Sequence, residues 1–437
     1  MKYYYQLARK ALWAFLIYLP FIGTFTYAIA GGNPLFFITK DILYIPALIA
    51  LIIYCQRSHL PIVIAKPLKQ PLLFLLACCS VTLVYVNGYQ QFNSDLDEQP
   101  FLMGILGLKV LIGYIPLIFC AYYLIRNKQE LRFLIRLHVV LALICCTLAL
   151  IQYLLLSSGV CTGTSGLEGD ALFKAALDAR CFVGGALLYN PELGVIRLPG
   201  TFAAPWQWGW FLISNGFFTV ASAVSETSRR WRNASFVAMA LVLFVAVVSG
   251  QKIALVLIIT IFALLLFFAA PGGNFKRGII IYLGGAIVLV LGLNTDFFSY
   301  WKDSLLYEFI VPQFDWALGN LETFFGSGLG RATNAARIFG ETALVETYYP
   351  KVLYEIGPLG LLAMLTVISI LTFLTFKAYR SVKDIKLRRL GICLWAFVLF
   401  ISYNIYYYPL DVLPVAIYYW FFAGVLLKLP QLESNQQ

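Results

Sequence analysis

Only 12% of the 437 residues are charged, and four of the charged positions stand at the ends of long apolar runs. Arg197 lies in R-L-P-G-T-F-A-A-P-W and Lys252 in S-G-Q-K-I-A-L. Arg331 follows G-S-G-L-G, and Glu346 opens E-T-Y-Y-P-K-V-L-Y-E. Arginine presents a planar bidentate fork to an oxyanion and lysine a point charge. Arg197 and Lys252 can therefore hold a group with several anionic oxygens and stabilise charge developing on it. A carboxylate within reach of a hydroxyl can accept its proton, and Glu346 is the candidate. Helix starts after Pro205 and near Pro350 would add partial positive charge suited to phosphate. Taken singly, a charged residue at a span end snorkels to the lipid headgroups, and Lys109 and the pair Lys40 and Asp41 are read in that way.

The elements that must position these residues are membrane helices. Hydrophobic residues make up 61% of the chain and the mean hydropathy is +0.81, which excludes an ordinary soluble domain. Apolar runs recur at the roughly 17–25 residues a spanning helix needs, longer than the ten or so alternating residues of a barrel strand. The reading is an all-α, polytopic membrane bundle of about 12 transmembrane helices. They fall near 11–30, 36–55, 70–87, 102–125, 134–156, 206–224, 234–249, 252–270, 278–294, 349–376, 390–405 and 412–428. The first has a basic start but no small-residue cleavage site, so it reads as a retained span. The chain divides into a membrane bundle over 1–156, an outer loop over 157–205, spans over 206–294, a large outer loop over 295–348, and the last spans with a polar tail over 349–437, all within one integral domain.

Charge sets the orientation. With both termini cytoplasmic, the inner connections carry Arg57, Lys66 and Lys69; Arg126, Lys128, Arg132 and Arg136; Arg229, Arg230 and Arg232; Lys276 and Arg277; and the basic run from Lys377 to Arg389. Most Asp and Glu fall outside. The formal charge of +11 is thus a topology signal of the positive-inside kind. It is not a nucleic-acid surface, which would need basic charge clustered on a soluble module. The two long outer loops contain helix-like amphipathic pieces, A-L-F-K-A-A-L-D-A and Y-W-K-D-S-L-L-Y-E-F-I-V-P-Q-F-D-W-A-L-G-N-L, expected to lie along the outer surface. Cysteines within spans are apolar filler. Cys161 and Cys181 share an outer loop, where a disulfide and two free thiols are both open readings. Neither His59 nor His138 sits in a Cys/His cluster, and no metal or cofactor is expected.

Four motifs occur in order: R197-L-P-G-T-F, S249-G-Q-K-I-A-L, G326-S-G-L-G, and E346-T-Y-Y-P-K-V-L-Y-E355-I-G-P-L-G followed by a span. Over residues 195–376 the chain resembles the O-antigen ligase and O-antigen polymerase superfamily of cell-envelope glycan enzymes. The resemblance implies a twelve-helix transferase bundle with extracytoplasmic amphipathic helices over a cavity. It implies metal-independent glycosyl transfer from an undecaprenyl-pyrophosphate carrier to an acceptor glycan or lipid, at the outer face of the cytoplasmic membrane. In the ligases an arginine holds the place of Lys252, and a histidine usually stands where this chain has Glu346. Both departures favour a repeat-unit polymerase, or another branch of the superfamily, over a lipid A core ligase; a glycan ligase is the alternative. The expected catalytic set is Glu346, Arg197 and Lys252. Arg331, Tyr348, Tyr349, Lys351 and Trp206 are expected to bind substrate, the aromatic rings by stacking on sugars or by anchoring at the interface. Glu355, nine residues beyond Glu346, is expected to face elsewhere and to serve packing or capping. The alternative of another class is a transporter or lipid flippase, which would show repeat symmetry and ionisable residues near the midplane.

Overall fold

The computed structural model describes residues 2–31, 39–62, 65–93, 98–164, 181–185, 187–190, 194–269 and 309–434. Among these residues, nine helical stretches are long and apolar enough to cross a membrane: Tyr3–Ile29, Thr39–Arg57, Lys66–Asn93, Pro100–Leu124, Lys128–Ser157, Arg229–Val248, Lys252–Ala269, Tyr348–Ser381 and Val415–Ser434. The protein is a mostly helical, multi-pass membrane bundle. In chain order its helices are α1 (Lys2–Tyr18), α2 (Thr39–Arg57), α3 (Lys69–Val81), α4 (Pro100–Ile112), α5 (Leu117–Leu124), α6 (Lys128–Ser157), α7 (Pro205–Ser225), α8 (Arg229–Val248), α9 (Lys252–Ala269), α10 (Val311–Gly319), α11 (Tyr348–Ser381), α12 (Ile385–Tyr403) and α13 (Val415–Ser434). The expected sixth and eleventh spans coincide with α7 and α12. These fall short of the nine because α7 carries three tryptophans with Gln207 and Asn215, and α12 opens on Lys386, Arg388 and Arg389. The expected span at 278–294 and the piece A-L-F-K-A-A-L-D-A lie outside the described residues.

Local signals set the helix ends. Pro205 begins α7, where its missing N–H costs nothing. Asn127 caps α6 by accepting from Glu130 N at 2.9 Å, and Glu130 returns to accept from Arg126 N at 2.7 Å, a reciprocal cap. Asp384 caps α12 by accepting from Lys386 N and Leu387 N.

α7 and α13 fill the centre, buried along almost their whole length. Helices in lipid associate by close packing rather than by expelling water, and this centre is built accordingly. His138, Phe218, Tyr418 and Phe422 meet edge to face, with His138 and Phe218 centroids 4.9 Å apart. Gly424 lets α13 approach α5 so closely that a Cβ there would lie 2.2 Å from Ile118 O. His138 is structural, its Nδ1 hydrogen-bonded to Leu134 O at 2.9 Å.

The connections segregate into two ends, as the alternation of charge requires. At one end Lys128 meets Asp384 at 3.0 Å, Arg136 meets Glu226 at 2.7 Å, and the Glu433 carboxylate accepts from Lys383 N at 3.0 Å. At the other end Thr24 N donates to Thr201 O at 3.1 Å, Gln99 N to Phe339 O at 2.7 Å, and Tyr348 N to Ile405 O at 3.0 Å.

One expectation changes here, and two features are added. Lys40 and Asp41 do not snorkel: both are buried, and Asp41 is held by Lys109, by Lys40 at 3.7 Å and by the Tyr114 hydroxyl at 3.3 Å. Pairing lets α2 keep a charge inside the bundle. Within residues 157–205, Leu188–Asn190 (β1) and Val195–Arg197 (β2) pair antiparallel, Leu188 opposite Arg197. Strands of three residues fall below the length at which alternation is visible in a sequence. Cys161 and Cys181 form a disulfide with Cα atoms 5.8 Å apart, resolving the two open readings.

Candidate functional site

The site is built at the end of the bundle that holds β2, the turn before α9, the glycine-rich loop and the start of α11. Strand β2 carries Arg197 at its exposed end. The S-G-Q-K turn packs directly on this strand. Leu198 N donates to Ser249 O at 3.2 Å, and Gly250, at φ +66°, comes so near Ile196 O that a Cβ would stand 1.7 Å from it. Trp208 Nε1 donates to Ser249 Oγ at 3.3 Å. Lys252, the first residue of α9, is exposed beside this corner. Arg197 and Lys252 thus belong to one corner, although 55 positions separate them in the chain.

Glu346 stands opposite. Its backbone N–H donates to Gln313 Oε1 of α10 at 3.1 Å, and the next residue, Thr347, bridges to Tyr406. The side chain is half-buried within electrostatic reach of Arg197 and of Tyr406, Tyr407 and Tyr408. Burial pushes the Glu346 carboxyl above its ordinary range, and the Arg197 guanidinium pulls it down by less. Loss of water thus outweighs the nearby positive charge. Burial, and then the negative Glu346, raise Tyr407. Phe309 packs on Tyr406 with centroids 5.2 Å apart, so the collar has an aromatic wall.

Beneath this mouth lies a second cluster, in which Lys351 and Glu355 are buried and Asp411 is partly so. Lys351 donates to Asp411 and, at 2.8 Å, to Thr333 Oγ1, and faces Glu355 at 3.8 Å. The Glu355 carboxylate accepts from Ala332 N and from Thr333 Oγ1, both at 2.9 Å. One helical turn thus carries both Lys351 and Glu355, an i,i+4 pair, and the pair grips the strand of chain that follows the glycines. Tyr408 links the two layers: its hydroxyl accepts from Asn334 Nδ2 at 3.2 Å, and it lies within electrostatic reach of both Glu346 and Asp411.

The glycine motif and the E-I-G-P element are one unit. α11 is broken at Gly357, whose φ of 71° and ψ of −178° suit glycine almost alone, and Pro358 removes a further helical donor. The freed carbonyls accept from the loop: Ser327 N donates to Tyr354 O at 2.8 Å, and Gly328 N to Glu355 O at 3.3 Å. A Cβ on Gly326 would lie 2.4 Å from Glu355 O, so the loop needs glycine to drape over the kink. Its far side is held by Asn87, which donates to Leu329 O and accepts from Leu329 N.

The other expected residues fall in different places. Arg331 meets Glu98 at 3.4 Å and Gln90 Oε1 at 3.4 Å, which ties the loop to the chain before α4. Tyr348 and Tyr349 are buried in the bundle, Tyr349 donating to Ser402 O, and Lys351 is committed to the buried cluster. Trp206 is 38% exposed at the start of α7. Sequence reasoning missed Asp411, Tyr406–Tyr408, Thr333 and Gln313. The run Y-Y-Y-P-L-D carried a signal, three interfacial tyrosines before an acidic residue between two spans, but nothing in it named the Lys351 partner. No family model matches the sequence, and no curated protein matches it.

Proposed function

We propose that the protein is a membrane glycosyltransferase that polymerises undecaprenyl-pyrophosphate-linked oligosaccharide repeat units into O-antigen or exopolysaccharide. It works at the outer face of the cytoplasmic membrane with both termini in the cytoplasm. The observation that carries this reading is that half-buried Glu346 lies within electrostatic reach of Arg197 and a tyrosine collar, while the turn that carries exposed Lys252 packs on the strand of Arg197. Arg197 and Lys252 hold the donor pyrophosphate. The acceptor hydroxyl oxygen bonds to the anomeric carbon as the bond from that carbon to the pyrophosphate oxygen breaks. The proton passes to Glu346, and the lipid pyrophosphate leaves with both bonding electrons. A desolvated carboxylate is a stronger base than one in water, which suits proton removal from a weakly acidic sugar hydroxyl. A ligase that transfers the finished glycan to a lipid or protein would use the same groups.

A transporter draws its support from the buried Lys351–Asp411–Glu355 cluster, because ionisable groups inside a span are usually functional. Here Lys351 and Glu355 are occupied by contacts to Ala332 and Thr333 that fasten the loop, Asp411 is paired with Lys351, and we read the cluster as a latch. Incubating purified protein with undecaprenyl-pyrophosphate oligosaccharides distinguishes the readings. A product ladder means polymerase and a single addition means ligase. No product with any acceptor would remove the enzyme reading.

A further inference from the structure

At the opposite end of the bundle an apolar groove runs into a cationic crevice. The groove, a cavity of about 240 Å³, is walled by Leu48 and Ile52 of α2, Leu68 and Leu72 at the head of α3, and Ile115 and Phe119 at the α4–α5 break. Its walls are helical stripes spaced by four residues, and every lining residue is apolar. The break exists because Pro116 cannot continue α4, which leaves Ile115 and Pro116 facing the gap. The Tyr123 hydroxyl of α5 donates to Pro61 O at 2.8 Å, next in the chain to Ile62 of the lining. Ala65 also lines the neighbouring crevice of about 360 Å³. There the chain before α3 supplies Lys66, the last turns of α11 supply Lys377 and Ser381, and Tyr122 and Leu427 complete the wall. Lys66 and Lys377 are exposed, and a third cation, Lys428, stands over the Tyr122 ring at 4.4 Å. None of the described residues lining the crevice is a carboxylate.

Charge and shape together match one kind of molecule. A groove of purely apolar side chains continuous with a crevice carrying two lysines and a serine hydroxyl has the polarity of a single amphiphile, its acyl chain along α2, α3 and α5 and its head at Lys66 and Lys377. We propose that this is a binding site for an anionic phospholipid of the surrounding bilayer, with the phosphodiester held by Lys66 and Lys377. Basic pockets between membrane helices select anionic headgroups, each lysine contributing about 1 kcal/mol. A bound lipid there would join the α2–α3 hairpin to α11, whose other end carries the Glu355 latch.

The test uses the full chain in nanodiscs of phosphatidylcholine doped with a photoreactive phosphatidylglycerol, compared with the same probe on phosphatidylcholine. The expected result is labelling of peptides covering 65–72, 115–122 or 374–381, several-fold stronger with the anionic probe. Native mass spectrometry of the Lys66→Gln/Lys377→Gln variant should then show preferential retention of phosphatidylglycerol fall by about thirtyfold, which is about 2 kcal/mol at 1.4 kcal/mol per tenfold. Leu72→Trp, which fills the groove, should reduce retention while leaving the lysines in place. Labels elsewhere in the chain, equal labelling by the two probes, or undiminished preference in the double variant would each overturn the proposal. The photolabelling of wild-type protein decides it even if a variant fails to fold.

Discussion

Replacing Glu355 by alanine should cost far more than its distance from the mouth suggests. The side chain accepts from Ala332 N and Thr333 Oγ1 at 2.9 Å each and faces Lys351 at 3.8 Å, with 1% of its surface exposed. Alanine leaves the Ala332 N–H without an acceptor inside the bundle, a loss of about 1–3 kcal/mol. It also removes one of the two carboxylates facing Lys351. Breaking a buried pair outright costs about 3–5 kcal/mol; with Asp411 still in place the lower part of that range applies. The two losses share atoms and do not add fully, so the expected total is about 3–5 kcal/mol. Glu355→Gln keeps one acceptor oxygen and should cost about 1–2 kcal/mol. By contrast, Glu98→Gln at the partly exposed Arg331 pair should cost no more than about 1 kcal/mol. Equilibrium unfolding in mixed micelles reads the stability, and limited proteolysis reads whether residues 320–347 detach from α11. If Glu355→Ala unfolds within about 0.5 kcal/mol of wild type, the usual reach of surface changes, and the loop stays protected, the latch is wrong.

Glu346→Gln should lower glycan turnover far more than donor binding, with stability near wild type; loss of donor binding alone would remove its role as proton acceptor. Because burial raises the Glu346 carboxyl and Arg197 opposes this, the ionised, active form appears only above the ordinary carboxylate range. The acid limb of the rate profile should therefore lie above that of a free glutamate, and Arg197→Gln should move it to still higher pH. Movement to lower pH would contradict the pairing. Lys252→Ala should reduce transfer by roughly tenfold or more, from loss of a charge-assisted contact of about 1.5–3 kcal/mol, while Lys252→Arg keeps much of the activity. Wild-type rates in Lys252→Ala would leave this lysine a headgroup anchor. Gly357→Ala, which forces a φ of 71° on a residue with a Cβ 2.2 Å from Phe324 O, should destabilise by about 1–3 kcal/mol and release the loop to protease. Cysteine-accessibility labelling should place Arg331 and Lys377 on opposite sides of the membrane, and labelling of both from one side would overturn the orientation argued from charge.

What the sequence made legible follows from the range of the forces involved. Hydropathy over about twenty residues is a local sum, so the spans could be read wherever lipid contact sets composition. α7 and α12 fit that pattern less well, and the structure shows why for α7: it is surrounded by protein, so Trp208, Ser214 and Asn215 sit among side chains rather than acyl chains. The basic connections could be read as one set because insertion acts on each connection separately. Charges that found partners inside the bundle could not. Lys40, Asp41 and Lys109 look like snorkelling residues in any window of sequence, and only the approach of α2 to α4 gathers both lysines around the buried Asp41. The site divides along the same line. The four motifs were visible, but the reason that G-S-G-L-G and E-I-G-P occur together is a kinked helix offering its freed carbonyls to a loop, a contact between segments some thirty residues apart. Asp411, 60 positions from Lys351, lies further still beyond local reading. Of the two glutamates of the E-x8-E stretch, the one inside the helix became the fastening and the one ahead of it kept access to water. That division follows from placement: Glu355 lies inside the helix just ahead of the kink, buried where an unpaired charge could not remain, and Glu346 lies before the first turn, where a carboxylate can be half-buried and still exchange a proton.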